Sequence, residues 1–245
     1  EDNFSVKAEK DIEIGGVYGI GGVKLIESTG GSIYIRGGVA GKNRAKIICK
    51  GNLYAKFISD AEVICEGSVF VGFYIWNSNI RAKQVIVESG RGQIVGGCID
   101  ADIRVECADI GNRLEKRTII NIRGFNREQL KAEMDELLGI IQSEKRHLAD
   151  LRDWLKSCNM EPQSNKPEIK KTQMEIFRKQ EEIKKLEASC LNISNYLKTP
   201  GTGALVVKNY IYPKVRITIQ NQSVEIMKKE FRPTYILRDG VIATL

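Results

Sequence analysis

Three aspartates and an arginine lie close together in the sequence and could do chemistry. Asp100 and Asp102 flank an alanine, Arg104 follows, and Asp109 comes five residues later. Carboxylates are ligands for Ca²⁺, and a polysaccharide lyase on a β-helix would place acidic metal ligands and a basic residue on one face. Acidic residues are also common at the outward positions of strands. The cluster therefore leaves a β-helix carbohydrate-active enzyme as an alternative. We expect instead that these residues lie on a solvated strand face.

The only histidine does not support acyl transfer on a β-helix. A hexapeptide-repeat acyltransferase would need a histidine base on its solenoid. His147 falls in a region of helical periodicity instead, and we expect it to be a solvated helix residue. The sequence therefore predicts no catalytic, cofactor-binding or metal-binding residue, and we expect no cofactor.

The six cysteines form no C-x-x-C motif, which favours reduced thiols over a disulfide framework or a zinc site. Cys49 and Cys65 occupy the same place in two copies of a repeat, where paired thiols could serve redox chemistry or bind a metal. No other ligand recurs beside them, so we expect a stack of small buried side chains. No apolar segment follows Glu1-Asp2-Asn3, so we expect no secretory signal. Together these features predict a cytoplasmic protein.

Glycines between Gly15 and Gly41 do not form a phosphate-binding loop. The stretch Gly37–Lys42 is followed by Asn43 and has Arg36 where the first glycine of a P-loop belongs. The stretch Gly19–Gly22 lacks the long helix and the distal acidic residue of a dinucleotide-binding motif. We expect these glycines to form turns.

The net charge of +7 is spread along the chain, with its largest excess near the end. Residues 199–245 hold seven lysines and arginines against three acidic residues, and Lys228, Lys229 and Arg232 are among them. This excess defines a second alternative, an electrostatic binder of membrane or nucleic acid. Nucleic-acid binding normally needs a concentrated basic face. We therefore expect these basic residues to lie on solvated faces, and we expect no nucleic-acid partner. The longest apolar stretch, 69–76, is too short for a transmembrane helix.

The first elements that would position these residues are strands, and their sequence pattern repeats along the chain. Residues 45–53 match residues 61–69 at every position with a displacement of 16, and a weaker copy follows at Lys83. Apolar residues alternate with Lys and Glu between turns of Gly, Asn and Ser. This pattern predicts a mostly β protein, a parallel β-helix or solenoid with right-handed crossovers and roughly rectangular rungs. Equivalent residues should stack in register, namely Cys49 on Cys65 and Ile47 on Val63.

A helical pattern interrupts the strands between Asn126 and Lys198. Apolar residues recur there at alternating spacings of four and three on two arms, which predicts an inserted antiparallel coiled-coil hairpin. The predicted seam of the first arm is Leu130, Met134, Leu137, Ile141, Glu144, Leu148, Leu151, Leu155 and Cys158. That of the second arm is Ile169, Thr172, Ile176, Lys179, Ile183, Leu186, Cys190, Ile193 and Leu197. The register pairs Leu130 with Leu197 and brings Glu144 close to Lys179.

An intermolecular coiled coil is the alternative, which the short polar connection Asn159–Lys166 disfavours. A hairpin returns the chain to its point of departure, so the strands after Ala204 can rejoin the solenoid. We therefore predict a β-solenoid over 1–124, an antiparallel coiled-coil hairpin over 125–198, and C-terminal strands that rejoin the solenoid over 199–245.

Three strings carry a resemblance to a known family: Gly92-Gln-Ile-Val-Gly-Gly97, Thr118-Ile-Ile-Asn-Ile122 and Tyr210-Ile-Tyr-Pro-Lys-Val-Arg-Ile217. With them the chain resembles the flagellar assembly protein A family over essentially its whole length. That family has a β-solenoid interrupted by a coiled-coil hairpin, and its repeats are similar to those of the bactofilins. Lys214 replaces the usual glycine after the Tyr-Pro segment. Family members commonly have a further domain before the solenoid, so we expect part of a longer chain.

The resemblance implies a function in building or placing flagella. We expect a non-enzymatic bacterial scaffold or adaptor that contacts protein partners through its solenoid and hairpin. Self-association is also expected, end to end, because an unprotected last coil would offer unpaired backbone groups.

Overall fold

The computed structural model describes residues 3–16, 19–158 and 166–245. The chain divides into two compact units, one formed by Glu1–Phe125 with Thr199–Leu245 and the other by Asn126–Lys198. The fold is mostly β, with about half of the residues in strands, and it contains a parallel solenoid of about 6 turns. This confirms the predicted fold class at that level.

The described residues of the first unit form sixteen strands, ten of them before the helices and six after. The first ten are β1 (Ser5–Ala8), β2 (Ile12–Ile14), β3 (Ile20–Gly21), β4 (Leu25–Ser28), β5 (Ile33–Ile35), β6 (Val39–Cys49), β7 (Leu53–Cys65), β8 (Ser68–Val87), β9 (Gln93–Ile110) and β10 (Thr118–Ile122). The last six are β11 (Ala204–Ile211), β12 (Val215–Ile219), β13 (Gln222–Glu225), β14 (Glu230–Phe231), β15 (Thr234–Arg238) and β16 (Val241–Thr244).

Each turn of the solenoid passes through three parallel ladders, each with a buried apolar column. The column of the first ladder is Ile26, Ile47, Val63, Ile80, Ile99, Ile120 and Ile217. The second contains Ile33, Leu53, Val69, Val85, Val105 and Leu205, and the third Ile20, Val39, Ile58, Ile75, Ile94, Ile110 and Ile211. The expectation of roughly rectangular rungs was wrong, because the strands pair in three ladders and not four.

The predicted repeat has the predicted register. Ile47 pairs with Val63 and Cys49 with Cys65 in neighbouring parallel strands. The weaker copy also stacks, since the Lys83 amide donates a hydrogen bond of 2.8 Å to the Gly67 carbonyl. Alternation therefore buries every second residue of these strands and leaves the others on the outer faces.

Antiparallel strands cover the C-terminal end of the solenoid. β13 pairs with β12 on the first ladder, β15 with β11 on the second, and β14 with β11 on the third. The chain reverses through a two-residue hairpin at Gln220-Asn221 and again at Asp239-Gly240. At this end the last parallel coil is therefore covered by reversed strands, and an added chain would meet their outer edges.

The second unit contains two helices, α1 (Arg127–Cys158) and α2 (Lys166–Leu197). Asn126 caps α1, because its side-chain oxygen accepts hydrogen bonds from the amides of Glu128 and Gln129 at 3.0 and 3.1 Å. Every predicted seam position is buried or half-buried. The predicted connection between the arms lies outside the described residues, apart from Lys166, which begins α2.

Candidate functional site

The acidic residues that could have formed a metal site are engaged by an arginine. The Arg123 guanidinium donates to Asp100, with Nε 3.1 Å from Oδ1, and lies 3.5 Å from a carboxylate oxygen of Asp102. The hydrogen bond with Asp100 raises the pKa of Arg123. This ion-pair network borders an open groove of about 540 Å³ at the corner between the first and second ladders, lined also by Lys50, Glu66 and Arg81.

The other two members of the predicted cluster lie elsewhere. Arg104 is on the second ladder and contacts Glu106, which also pairs with Lys208 at 2.6 Å. Asp109 is on the third ladder and accepts a hydrogen bond of 3.0 Å from the Tyr210 amide. Partial burial raises the pKa of Asp109. The described residues therefore bring no three carboxylates, thiols or imidazoles into a metal-binding group.

The two stacked thiols are buried and unbridged. Cys49 and Cys65 are almost fully inaccessible and both are free cysteines. Cys65 Sγ lies 3.1 Å from the Gly51 carbonyl, to which it donates. A hydrogen bond with Cys65 and burial raise the pKa of Cys49. The same hydrogen bond lowers the pKa of Cys65, which lies at the wall of the groove but is itself buried. The two thiols are packed in the column and expose almost no surface to a substrate.

The remaining candidates have plain structural roles. His147 is exposed on α1, next to buried Leu148. In the glycine-rich segment, the Phe57 ring occupies the space that a side chain at Gly38 would need. That glycine is therefore required for close packing between two turns of the solenoid.

An outward row of aromatic rings escaped the sequence analysis. Tyr34, Tyr54 and Phe70 stack along the second ladder with centroids 4.9 and 5.0 Å apart and nearly parallel planes. Tyr54 and Phe70 are separated by the 16 residues of the repeat, a spacing from which this pair could have been predicted, and Tyr34 precedes Tyr54 by 20 residues. Because the rings face each other, mainly their edges reach solvent. The row therefore stabilises the stack and offers little ring face to a sugar.

A second group of aromatic side chains at the surface lies on the third ladder of the same turns. Phe57 and Tyr74 stack at 5.1 Å on the third ladder, and Trp76 contacts Tyr74 with a centroid distance of 4.4 Å. Phe73 and Trp76 are both exposed. Exposed aromatic side chains are enriched at the centres of protein interfaces, so this group is a candidate docking surface.

Side chains of α1 and α2 contact each other at several points. Glu144 pairs with Lys179, and the Arg127 guanidinium donates to the Leu197 carbonyl. Met174 and Phe177 lie on the exposed side of α2 and border a groove of about 340 Å³. This apolar surface is not part of the seam and is available for a contact outside the second unit.

The basic residues near the C-terminus lie over aromatic rings. Lys229 Nζ is 3.5 Å from the centroid of the Tyr210 ring, and the Arg232 guanidinium carbon is 5.0 Å from that of Phe231. Lys228 is exposed. The two cation–π contacts hold the cations on the solenoid surface rather than in bulk solvent.

Comparison with known families decides the classification. A family model for the flagellar assembly protein A β-solenoid domain matches residues 1–242. The chain belongs to this family. Comparisons with curated proteins and with solved structures give no match. The family description names a β-solenoid, which agrees with the solenoid that the described strands β1–β16 of this flagellar assembly protein A chain build.

One departure from the flagellar assembly protein A pattern has a visible backbone consequence. Lys214, which replaces the usual glycine, has a φ of 64°. Its amide donates to the Ile226 carbonyl at 3.1 Å, and its carbonyl accepts from the Thr118 amide at 3.3 Å. The left-handed conformation that glycine adopts freely is therefore imposed on a lysine by hydrogen bonds on both sides.

Neither α1 nor α2 is both long enough and apolar enough to cross a bilayer, and the described residues contain no other helix.

Proposed function

We propose that this chain is a non-enzymatic scaffold or adaptor that takes part in building or placing bacterial flagella. It acts in the cytoplasm through protein–protein contacts of its solenoid and its helices. The single observation that carries the proposal is the match to the flagellar assembly family over residues 1–242. A match of that extent includes both the solenoid and the inserted helices.

The state of the candidate chemical groups supports a non-enzymatic function. Asp100 and Asp102 share an ion-pair network with Arg123, and the paired thiols are buried. Catalytic groups need a shared cleft and freedom to touch a substrate. The carboxylates are engaged in ion pairs and the thiols are buried, so a carbohydrate-active enzyme is the weaker hypothesis.

The helices are proposed to form an antiparallel coiled-coil hairpin that docks a partner. Three contacts support this arrangement, because the start of α1 touches the end of α2, and the middles of both helices touch each other. They are Arg127 with Leu197, Glu144 with Lys179, and Lys145 with Glu187 at 2.6 Å. The exposed Met174 and Phe177 give the hairpin an apolar docking surface.

A genetic experiment in the bacterium that encodes the chain tests the proposal. The gene is deleted and restored with three versions: unchanged, Met174→Ser/Phe177→Ser, and a matched control Lys184→Gln/Lys185→Gln at exposed positions of the same helix outside the groove. Flagella are counted and located by fluorescence microscopy of labelled filaments. We expect loss or misplacement of flagella in the deletion strain and in the apolar variant, and rescue by the other two.

Normal flagellar number and position in the deletion strain would sink the flagellar function. Normal flagella in the Met174→Ser/Phe177→Ser strain, with the variant protein present at wild-type level, would sink docking through α2. Self-association is tested separately by light scattering over a concentration series. A molar mass that stays that of one chain would remove self-association from the proposal.

A further inference from the structure

A basic corner forms where the third ladder turns into the first, near the C-terminal end of the solenoid. We define it as residues 112–117, 212–216 and 226–229, which contain seven lysines and arginines and one acidic residue. Hydrogen bonds hold these three stretches side by side, from the Thr118 amide to the Lys214 carbonyl and from the Lys214 amide to the Ile226 carbonyl. Charges that lie about a hundred residues apart in the sequence are therefore neighbours.

Two large apolar side chains project from the basic corner. Leu114 is 87% exposed and Met227 is 76% exposed. The loop that presents Leu114 is held in place, since Asn112 accepts a hydrogen bond from the Lys116 amide at 3.2 Å and Thr118 donates to the Lys116 carbonyl at 3.0 Å. An open groove of about 600 Å³ between Leu114, Arg117 and Lys214 separates the loop from the next turn.

The local charge remains positive after its acidic neighbours are counted. Glu115 is exposed within the loop, and Glu225 faces Arg216 at 3.8 Å. Arg113, Arg117, Lys214 and Lys228 are all exposed. Cations of this density next to exposed apolar side chains are the chemistry that recognises an anionic lipid surface, where phosphates attract the cations and the boundary region accepts the apolar groups.

Nucleic acid fits the same corner less well. Single strands bind by stacking bases on aromatic rings, but Lys229 already covers Tyr210 and lies 5.3 Å from the centroid of Tyr212. A phosphate backbone would also leave Leu114 and Met227 exposed. We propose that the basic corner binds anionic membrane surfaces, with Leu114 and Met227 inserted among the lipid headgroups. This binding is independent of the protein contacts proposed for the helices.

Vesicle flotation with the full chain tests the proposal. The probes are vesicles of phosphatidylcholine alone and vesicles with about a third of phosphatidylglycerol, at low and moderate salt. We expect binding only to the second kind, weakened by salt. Arg113→Gln/Lys228→Gln should weaken partitioning about 25-fold, since each basic side chain near an anionic surface contributes about five-fold. Leu114→Ser should weaken it about tenfold at unchanged charge.

The control is Lys170→Gln/Lys171→Gln, which removes the same charge from exposed positions of α2. It should bind vesicles like the unchanged chain, and circular dichroism should show that every variant is folded. Equal loss in the corner and control variants would overturn the proposal in favour of unspecific net charge. So would absence of wild-type binding at low salt, no effect of Leu114→Ser, or tighter binding to duplex DNA than to anionic vesicles under the same conditions.

Discussion

The amide of Phe125 donates a hydrogen bond of 2.7 Å to the carbonyl of Thr202, although more than seventy residues separate them in the sequence. The segment that contains both helices therefore leaves and re-enters the solenoid at almost the same point. Its place corresponds to the short turns that join the first and second ladders in earlier rungs, such as the turn between Cys49 and Leu53.

The solenoid is expected to fold without the helices. Replacing residues 126–198 by a short Gly/Ser linker removes a compact unit while the ends stay hydrogen-bonded neighbours, and loop closure costs little for a short loop. We expect a β-type circular dichroism spectrum and one cooperative thermal transition within a few degrees of the parent. A linker variant that is unfolded or aggregated would show that the solenoid depends on the helices.

Alanine substitutions in the first ladder should lower the free energy of unfolding more at a buried position than at an outward one. Ile47→Ala removes a fully buried side chain and should lower the free energy of unfolding by about 2–4 kcal/mol. The neighbouring Ile48→Ala makes the same chemical change on the half-buried outer face and should cost less than about 1 kcal/mol. Urea unfolding of the two variants measures the difference, and equal losses would contradict the assigned alternation.

Relief of the strained turn at Lys214 should stabilise the protein. Lys214→Gly places glycine where φ is 64°, which should raise the free energy of unfolding by roughly 1 kcal/mol. Lys214→Ala removes the same charge but keeps a Cβ, so it serves as the control and should not stabilise. Thermal unfolding compares them, and equal stability of the two variants would mean that the conformation carries no strain.

The pair of Glu144 and Lys179 should contribute stability that depends on pH. Both side chains are largely shielded, with 26 and 17% exposed, and the hydrogen bond with Glu144 raises the pKa of Lys179. A raised lysine pKa means that the stabilisation is complete below the ordinary value near 10.4 and is lost as the pH rises through the raised value. A double-mutant cycle with Glu144→Gln and Lys179→Met should give about 0.5–1 kcal/mol at neutral pH. An equal coupling energy well above pH 10.4 would refute this ionic account.

Thiol labelling should discriminate among the cysteines. Burial raises the pKa of Cys107 to about 12, whereas Cys158 and Cys190 are half-buried. Because the thiolate is the reactive form, native Cys107 should resist iodoacetamide at pH 8 while Cys158 and Cys190 are alkylated. Peptide mapping by mass spectrometry reads the result, and labelling in denaturant is the control in which all three should react.

The sequence was sufficient for local periodicity and for repeat register. Ile47 and Val63 could be paired because 16 residues separate equivalent positions in an obvious repeat, and the helical seam could be read from spacings of four and three. The reversal of the last strands also has a signal in the sequence. Asp239-Gly240 between two strand patterns is a strong hairpin sequence, and both residues have positive φ.

The basic corner could not be seen in the sequence. Arg113 and Lys228 become neighbours only when the register of the last turns and the reversal after β12 are known. A count of charges in each segment of the sequence indicates only a small excess of basic residues. Stacking of the turns brings together charges from segments that such a count treats separately. The acidic residues show the opposite effect. Asp102 and Asp109 are close in the sequence but lie on different ladders of the structure, so they form no cluster.

The reversed strands at the C-terminal end restrict how such a protein can change length during evolution. A rung appended there would stack on reversed strands and not on a rung of the three parallel columns, so new rungs are expected to arise by tandem duplication inside the gene, between the first strands and the helical insertion. Each duplication of a 16-residue unit would lengthen the column by about 4.8 Å and displace everything downstream by one layer. Relatives should therefore differ in rung number upstream of the insertion while keeping the same terminal hairpins.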